Sequence, residues 1–400
     1  MRSLIPREFW DHGFRDLLSC LAVAPSRRKQ DMVLHIHGLG DCVPVRTGRA
    51  ALVAAIRSLK LPLGASIGAP LFCCPVVFQA IHTAGCRPRF IDIDPETYCL
   101  SAEDLAKKQS RMDAVIAVHM FGNLCDVMRL REQARGKPII EDCAQALGSR
   151  LEGLMAGSLG DLSFFSFRSG KYISAGEGGA IYSNDPEMRD RVSRIVSEMS
   201  VPSPKEECRH AVRVHIKSRL RSKPLYGMIG HRLGQLWEKR MKASDDSPVV
   251  LGQIRMTDLL LIRKRLACLE RWIDAQRGYA DLLIRDLELG TGMLCHENPG
   301  TFYNRYHFPI LFHSPEQRDF VASHLRTAHI DSIKYLSGVV ETATRHYGYD
   351  GGCPAAERIS ERVLVVPSYH ALRGGDVDYI ANCVNNGWAE IKRRGGLTEP

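Results

Sequence analysis

The sequence predicts an α/β protein whose large domain contains a mainly parallel sheet flanked by helices, with a smaller α/β domain at the C-terminus. The first observation is that strand-like apolar runs alternate with helical segments between residues 44 and 185, as in parallel sheets covered on both faces. The second is that several of these runs end directly in polar residues, as buried strands do at the edge of a sheet where ligands bind. The third is a long helical run after residue 250 that leads into further strand and helix patterns.

Length and composition are those of a soluble globular protein with two domains or one large one. The 400 residues contain no apolar run long enough to cross a membrane, and the first residues lack the apolar core of a signal peptide. The thirteen cysteines show no C-x-x-C spacing, which favours a reduced, cytoplasmic protein. Because no cysteine and histidine cluster has the spacing of metal ligands, we expect no metal.

The positive charge is concentrated in one segment, residues 205–242. This segment holds eleven lysines and arginines against three acids, in a chain with a net charge of +9. A nucleic-acid-binding protein would usually spread such charge over a folded face, so we expect no nucleic acid partner. Apolar residues alternate with the basic ones at near-helical spacing. Two alternatives stay open: an amphipathic element on the anionic inner face of a membrane, or a hairpin over the active site that binds a diphosphate.

Two helices are predicted in the N-terminal part of the chain. Five apolar residues with roughly helical spacing predict a helix that packs on the core: Phe9, Trp10, Phe14, Leu17 and Leu18. Further on, Thr47 and Gly48 come directly before an alanine- and leucine-rich helical run. Free N–H groups and the dipole make the N-terminus of such a helix a natural phosphate site.

Two other strand ends carry polar residues. Asp92 and Asp94 end a strand-like run and are followed by Pro95, which is a turn signal before it is a metal site. His119 ends the next buried run. We expect this histidine at the edge of the sheet near a cofactor, in a positioning role rather than a catalytic one.

The stretch from residue 139 to residue 185 carries the predicted chemistry. Its first apolar run ends in Asp142, its second, LSFFSF, contains Ser166 and gives way to Arg168, and Lys171 follows before a glycine-rich turn and a third short strand. Pyridoxal phosphate needs a lysine for a Schiff base, a carboxylate for the pyridinium nitrogen and small residues with free N–H groups for the phosphate. Lys171, Asp142 and Ser166 fit these three roles, so we predict this cofactor.

The motifs of this stretch resemble the DegT/DnrJ/EryC1/StrS family of pyridoxal-phosphate sugar aminotransferases. The resemblance lies in EDCAQALGS, GSLGDLSFFSF, the lysine at 171 and GEGGAIYSND, with further matches in RTGRAAL, PRFIDIDPET, VHMFGN, RMTDLLL and VLVVPSYHAL. It covers roughly residues 44 to 390. It implies fold type I, as in aspartate aminotransferase, and a homodimer whose active sites lie at the subunit interface.

The resemblance also implies a reaction. An amino group would pass from an amino acid, glutamate in most of the family, to a keto-sugar nucleotide, in surface polysaccharide or secondary-metabolite biosynthesis. Lys171 and Asp142 would be the catalytic residues. Some members are dehydratases in which a histidine replaces the lysine, so Lys171 argues against that branch. A non-sugar carbonyl as acceptor, and a non-catalytic relative at a membrane, stay open as alternatives.

Cofactor contacts follow from the same resemblance. Thr47 and Gly48 match the start of a Ser/Thr-Gly-Thr motif that holds the phosphate, and Arg49 is a larger, charged substitute for its third residue. Gln145 lies where the family has a contact near the ring hydroxyl. Gln253 replaces an asparagine that reaches the phosphate of the neighbouring subunit's cofactor.

One position departs from the family pattern. The family has an aromatic residue that stacks on the pyridine ring where this chain has Cys74. A thiol makes less contact with a ring than an aromatic face does. We therefore expect either that Phe72 or a neighbour covers the ring or that the cofactor binds more weakly.

The predicted domain organisation has a boundary near residue 250. Residues 1–250 would form the large cofactor-binding domain, with the basic insertion at about residues 203–247. Residues 251–400 would form the long linking helix and the small C-terminal domain.

Overall fold

The protein is represented by a computed structural model, which describes residues 3–24, 32–223, 225–230, 248–297 and 300–394. The helices, numbered in chain order, are α1 Phe14–Val23, α2 Gly48–Ser58, α3 Val76–Thr83, α4 Ala102–Lys108, α5 Val127–Ala134, α6 Pro186–Ser197, α7 Pro204–Arg221, α8 Met256–Leu266, α9 Leu269–Asp286, α10 Pro315–Thr327, α11 Val339–Tyr347, α12 Pro354–Arg362 and α13 Gly374–Arg393. None of the helices in these ranges is long and apolar enough to cross a membrane.

The strands belong to one large sheet and two small ones. They are β1 Leu34–Ile36, β2 Gly40–Val45, β3 Ser66–Pro70, β4 Arg87–Ile91, β5 Ala114–Val118, β6 Ile139–Asp142, β7 Arg150–Leu151, β8 Leu154–Met155, β9 Leu162–Ser166, β10 Gly179–Tyr182, β11 Thr301–Phe302, β12 Phe308–Leu311, β13 Ile333–Lys334 and β14 Val363–Val366. In the described residues the large sheet has the order β1-β2-β10-β9-β6-β5-β3-β4. Five adjacent strands, from β9 to β4, run parallel to one another.

The parallel centre of the sheet is buried because its strands are apolar throughout. All five residues of β5 and all four of β6 are buried. Helix α2 covers one face with a nearly continuous set of buried alanine, leucine, valine and isoleucine side chains. The predicted α/β class with a large, mainly parallel sheet is therefore confirmed.

The C-terminal part forms its own small antiparallel sheet, in the order β12-β14-β13. Helices α10 and α13 pack together beside it. The first described residues join this region, since Ile5 donates its N–H to the carbonyl of His329 at 2.9 Å and its side chain is fully buried in the same apolar cluster. The N-terminal segment thus reaches from the large sheet to the small one, which the sequence did not predict.

The predicted N-terminal helix exists but is shorter and turned the other way. It begins only at Phe14, so Phe9 and Trp10 precede it. Its buried face carries Asp16 and Cys20, whereas Phe14 and Leu18 are 64% and 52% exposed. The physical reason is that Asp16 is held by ion pairs from α8, which turns the apolar stripe toward solvent.

Part of the basic insertion is a helix packed on the protein. Ser203 caps α7 and forms a capping box with Glu206. Both carboxylate oxygens of Glu207 accept N–H bonds at 3.0 Å from the first residues of α8. Residues 231–247 of the insertion lie outside the described residues. Helix α7 is therefore an integral support of α8 rather than a loose hairpin.

The turn predicted after β4 is also present. One carboxylate oxygen of Asp94 accepts the N–H groups of Glu96 and Thr97 at 2.9 Å. Asp92 accepts two N–H bonds from Ala355 and Ala356 at the start of α12. These carboxylates therefore stabilise a turn and a helix N-terminus.

Candidate active site

The sheet brings the predicted residues to one edge. Strand β6 ends at Asp142 and its neighbour β9 ends at Ser166, because parallel strands with adjacent register finish side by side. Strand β10 pairs Gly179 with Ser166 on the other side. Thr47 pairs with Gly178 just before α2 begins. Three separate parts of the chain thus meet at the carboxyl ends of the parallel strands, where open α/β sheets bind ligands.

Asp142 is a buried acid, only 7% exposed. Burial raises the pKa of its carboxyl, and the rise is opposed by the N–H bond from Ala144 at 2.9 Å and by the charge of Lys171. A buried carboxylate that is stabilised by nearby cationic groups is suited to pair with a cationic ring nitrogen.

Lys171 lies in the turn after β9. Its N–H donates to the carbonyl of Arg168 at 2.9 Å, and its ammonium nitrogen lies 5.0 Å from the centre of the Tyr306 ring. Burial, followed by the positive charge of Arg168, lowers its pKa to about 8, while Asp142 acts in the opposite direction. The amine is therefore far more often neutral, and nucleophilic, than an exposed lysine at the same pH.

A cradle of small groups lies where the phosphate contact was predicted. A Cβ atom on Gly48 would lie 2.8 Å from Cβ and 3.0 Å from Oγ of Ser166. Thr47 caps α2 by accepting the N–H of Ala50 at 3.1 Å. The glycine lets the helix N-terminus come close to the serine hydroxyl, which is the donor set that a phosphate group requires.

Other predicted cofactor contacts are held by the chain itself. Arg49 donates to the side-chain oxygen of Gln79 on α3 at 3.2 Å. Gln145 accepts the N–H of Phe121 at 3.2 Å and donates to the hydroxyl of Tyr335 at 3.1 Å. These contacts orient both side chains within their own subunit.

Gln253 also bonds within its own chain. Its side-chain amide donates to the carbonyl of Ser197 at 2.9 Å, near the end of α6. Its backbone pairs with Val45, two residues before Thr47. Gln253 therefore lies beside the strand that leads into the predicted phosphate motif of its own chain. Its contact with the cofactor of a second subunit stays a prediction.

Cys74 is exposed in the loop between β3 and α3. It lies near enough to Lys171 to affect its pKa. Phe72 is fully buried, and its ring centre lies 6.2 Å from that of Phe121 and 6.2 Å from that of Tyr335, the partner of Gln145. That Phe72 or a neighbour covers the cofactor ring, or that the cofactor binds more weakly, stays a prediction.

His119 is fully buried and hydrogen-bonded on both ring nitrogens. Cys125 donates its N–H to Nδ1 at 3.1 Å, so the neutral ring donates from Nε2 to Glu141 at 2.9 Å. Glu141 accepts three more bonds, from the N–H groups of Gly157, Leu159 and Gly160. His119 and Glu141 thus tie β5 and β6 to the following loop, and His119 positions the strand that carries Asp142.

Several site residues were not found from the sequence. Glu8 lies against the catalytic turn, since a Cβ on Gly170 would be 1.7 Å from its carboxylate oxygen. Arg221 at the end of α7 holds Glu8 at 3.0 Å. Tyr306 donates its hydroxyl to the carbonyl of Gly170 at 2.9 Å. These residues come from distant parts of the chain, and no local sequence signal marked them.

Most of the chain matches the model of a known protein family. Residues 31–385 match the model of the DegT/DnrJ/EryC1/StrS aminotransferase family. Because the match spans most of the chain, the protein belongs to this family, as its motifs predicted.

Two curated relatives illustrate the similarity. GDP-perosamine synthase of Escherichia coli O157:H7 is 27% identical over 352 residues, which cover 86% of this chain and 85% of the relative. The L-glutamine:2-deoxy-scyllo-inosose aminotransferase of Streptoalloteichus tenebrarius is 35% identical over 162 residues, or 40% of this chain and 38% of the relative.

Solved structures agree with the fold. DesI in the presence of its TDP-sugar product superposes with a TM-score of 0.75 at 20% identity, with 99% of this chain and 96% of DesI covered. The putative sugar aminotransferase Spr1654 from Streptococcus pneumoniae, in its PMP form, also gives 0.75, at 18% identity with 98% and 99% covered. At these identities the matches establish the fold alone.

Proposed function

We propose that the protein is a pyridoxal-phosphate-dependent aminotransferase that moves an amino group from an amino acid, glutamate in the first instance, to a keto-sugar nucleotide. The observation that carries this proposal is the convergence of Lys171, buried Asp142 and the Gly48–Ser166 cradle at one sheet edge. The names of relatives that make GDP-perosamine or a dTDP-amino sugar support a nucleotide-sugar acceptor. Surface polysaccharide or secondary-metabolite biosynthesis is the setting in which such products are used.

The residues present fit the cofactor. Thr47, Gly48 and Ser166 would hold its phosphate, Asp142 its ring nitrogen and Lys171 its aldehyde carbon. When bound, the cofactor supplies an electron sink for the negative charge that develops at the substrate carbon.

The chain's own residues manage the protons. Lys171, with a pKa of about 8, can accept and return a proton at its amine at physiological pH. Asp142 would pair its carboxylate with the ring nitrogen of the cofactor, and Tyr306 holds the turn through Gly170. Two substrates that use one site in turn give ping-pong kinetics.

The proposed function is tested with purified protein and Lys171→Ala. We expect wild type to show the visible absorbance of lysine-bound cofactor, and an amino donor to bleach it. Keto-sugar nucleotides are then added one at a time, and the compound that serves as the acceptor should restore the absorbance band. Lys171→Ala should lose the band while its circular dichroism is unchanged. An exposed lysine on α4 serves as control, because Lys107→Ala should behave as wild type. An unchanged spectrum in Lys171→Ala would end the assignment.

One relative favours a second acceptor class. The name L-glutamine:2-deoxy-scyllo-inosose aminotransferase gives glutamine as a donor and a compound that is not a nucleotide as acceptor. The same substrate panel, extended with 2-deoxy-scyllo-inosose and L-glutamine, distinguishes the two.

The proposed assembly is a homodimer with shared active sites. The family resemblance supports it, and so does the exposure of Cys74 in the single chain. A site completed by a second subunit would cover this side chain.

The proposed location is cytoplasmic, in peripheral contact with an anionic membrane. Support comes from a surface that we call the α1–α7 surface, where α1 packs on α7. Its exposed apolar residues are Phe14, Leu18, Leu21, Val212 and Ile216. Its exposed basic residues are Arg15, Arg209, Arg213 and Arg219. Each basic residue near an anionic membrane surface contributes about 1 kcal/mol to the free energy of binding. Exposed apolar side chains strengthen binding further by inserting into the headgroup region.

A further inference from the structure

The guanidinium of Arg168 is exposed and forms no hydrogen bond or ion pair with any residue that the structure describes. Burial lowers its pKa, but the nearby acidic groups, Glu8 foremost, together outweigh this effect and raise it. The Arg168 carbonyl accepts the Lys171 N–H at 2.9 Å, and its backbone pairs with Gly176. Other arginines near the site are paired, such as Arg221 with Glu8 and Arg255 with Glu177. An unpaired guanidinium in an active-site turn is available for a ligand.

The turn fixes this guanidinium beside the reacting amine. Arg168 and Lys171 are the two ends of a tight turn closed by their backbone hydrogen bond. The turn is clamped from outside by the Tyr306 hydroxyl on Gly170, and Glu8 packs against the same glycine. The positive charge of Arg168 is, after burial, the main cause that lowers the pKa of Lys171. The two cationic groups are therefore close enough for their charges to interact.

Substrate chemistry decides which anion belongs there. In an amino-acid donor, the carboxylate is bonded to the carbon that bears the reacting amine. In a keto-sugar nucleotide, the diphosphate hangs from the anomeric carbon and is separated from the ketone by the sugar ring. The anion that must come closest to Lys171 is therefore the α-carboxylate of the donor. A guanidinium binds a carboxylate through two parallel hydrogen bonds.

We propose that Arg168 binds the α-carboxylate of the amino-acid donor and so selects amino acids over simple amines. This makes Arg168 a specificity-determining residue, and it rests on the aminotransferase function proposed above. It also explains why the turn carries two basic residues three positions apart. Lys171 takes part in the reaction, and Arg168 holds the donor.

The test compares donors with and without the α-carboxylate. The holoprotein is assayed with the faster of L-glutamate and L-glutamine, and with the same compound lacking its α-carboxylate, 4-aminobutyrate or 4-aminobutanamide. In Arg168→Met, kcat/KM for the amino acid should fall about tenfold or more, as expected for loss of a hydrogen bond to a charged group. The value for the decarboxylated amine should fall much less, because this compound loses only the effect of Arg168 on the pKa of Lys171. Arg168→Lys should give an intermediate loss, because a point charge lacks the fork geometry. Arg345→Met on α11, which removes a surface ion pair, is the matched control.

Two readouts separate this role from a structural one. In the cofactor-free protein, Arg168→Met should raise the pKa of Lys171. This pKa is measured by labelling the Lys171 amine at a series of pH values and quantifying the labelled peptide by mass spectrometry. Calorimetric titration with UDP should give the same affinity in wild type and Arg168→Met. Equal losses for both donor types, or a loss of UDP affinity, would overturn the proposal, the latter by assigning Arg168 to the diphosphate. If wild type itself transfers no amino group to any acceptor, the proposed function fails first, and the two failures are thereby distinguished.

Discussion

At the scale of single residues, Lys171 combines burial with a neighbouring arginine, and both favour the neutral amine. Since its pKa is depressed to about 8, its contribution to stability is present above the ordinary lysine pKa and lost as pH falls through about 8. The neutral form is also the nucleophile. In cofactor-free protein we expect the labelling rate of Lys171 by an amine-reactive reagent to rise about tenfold per pH unit up to about pH 8 and then to level off.

The control for this titration is Lys171→Ala, in which the labelled peptide should disappear. A rate that continues to rise steeply beyond pH 10 would show an ordinary lysine and would contradict the depressed pKa.

Asp142 should matter for rate more than for cofactor attachment. Asp142→Asn keeps the shape and the N–H bond from Ala144 but removes the negative charge. We expect the protein to bind its cofactor and to lose several kcal/mol, roughly 3, of transition-state stabilisation in the half-reaction with the amino donor. Stopped-flow absorbance measures that rate. Removal of one group that stabilises charge in a transition state usually slows the reaction by far more than about threefold. If the variant's rate is within about a factor of three of the wild-type rate, Asp142 does not have this role.

The residues predicted from the sequence are those with a local signal. Asp142, Ser166 and Lys171 lie at or just after apolar strands within one stretch of sequence. Their order was therefore enough to predict that they lie together at one edge of the sheet. Glu8 and Tyr306 reach the same turn from distant parts of the chain. No periodicity or motif encodes such long-range contacts. Arg168 lay inside the motif, yet only the structure showed that its guanidinium forms no hydrogen bond or ion pair with the described residues.

At the scale of elements, the junction of α2 with β9 depends on a missing side chain. Helix propensity alone would favour alanine over glycine at Gly48 by about 1 kcal/mol. However, a Cβ there would lie 2.8 Å from Ser166 Cβ, so the helix N-terminus or the serine must move. We expect Gly48→Ala to weaken cofactor binding about tenfold, measured by absorbance titration, because phosphate sites require their N–H groups in place.

Gly278→Ala in α9 is the matched control, since a Cβ at that position meets open space. It should leave cofactor affinity unchanged and raise the free energy of unfolding by about 0.5–1 kcal/mol. Equal affinity in both variants would show that the cradle tolerates the added methyl group.

Helices α1 and α7 show where element-level prediction fell short. Apolar spacing in α1 predicted a face on the core, but Asp16 is buried there instead, paired with Lys264 and Arg265. The helix existed as predicted, while its rotation was set by charges some 250 residues away in sequence. Periodicity identifies a stripe and not the partner that covers it.

At the scale of the whole molecule, the α1–α7 surface should bind anionic vesicles. Deleting residues 205–242 is a poor test, because it would remove the Glu207 cap of α8. Leu18→Glu with Ile216→Glu changes exposed side chains only. We expect wild type to sediment with phosphatidylglycerol-containing vesicles at low salt and less at high salt, and the double variant to remain in solution with its activity intact.

Leu63→Glu is the control, since Leu63 is 94% exposed in a different part of the surface. It should sediment like wild type. Sedimentation of the double variant equal to wild type, or no sedimentation by either, would exclude the membrane contact. A change in molar mass by light scattering would instead assign the surface to a second copy of the chain.

The last prediction concerns the shared active site. If Gln253 of one subunit serves the cofactor of the other, Lys171→Ala and Gln253→Ala damage different parts of each site. Mixed and reassociated, the two inactive proteins form heterodimers in which one site has both Lys171 and Gln253 intact. Random pairing in a twofold dimer should then recover roughly a quarter of wild-type activity. The own-chain bonds of Gln253 to Ser197 supply the competing explanation, in which the glutamine only secures the end of α6. In that case the second variant damages its own site and mixing recovers nothing, so the activity of the mixture decides between a shared and a self-contained site.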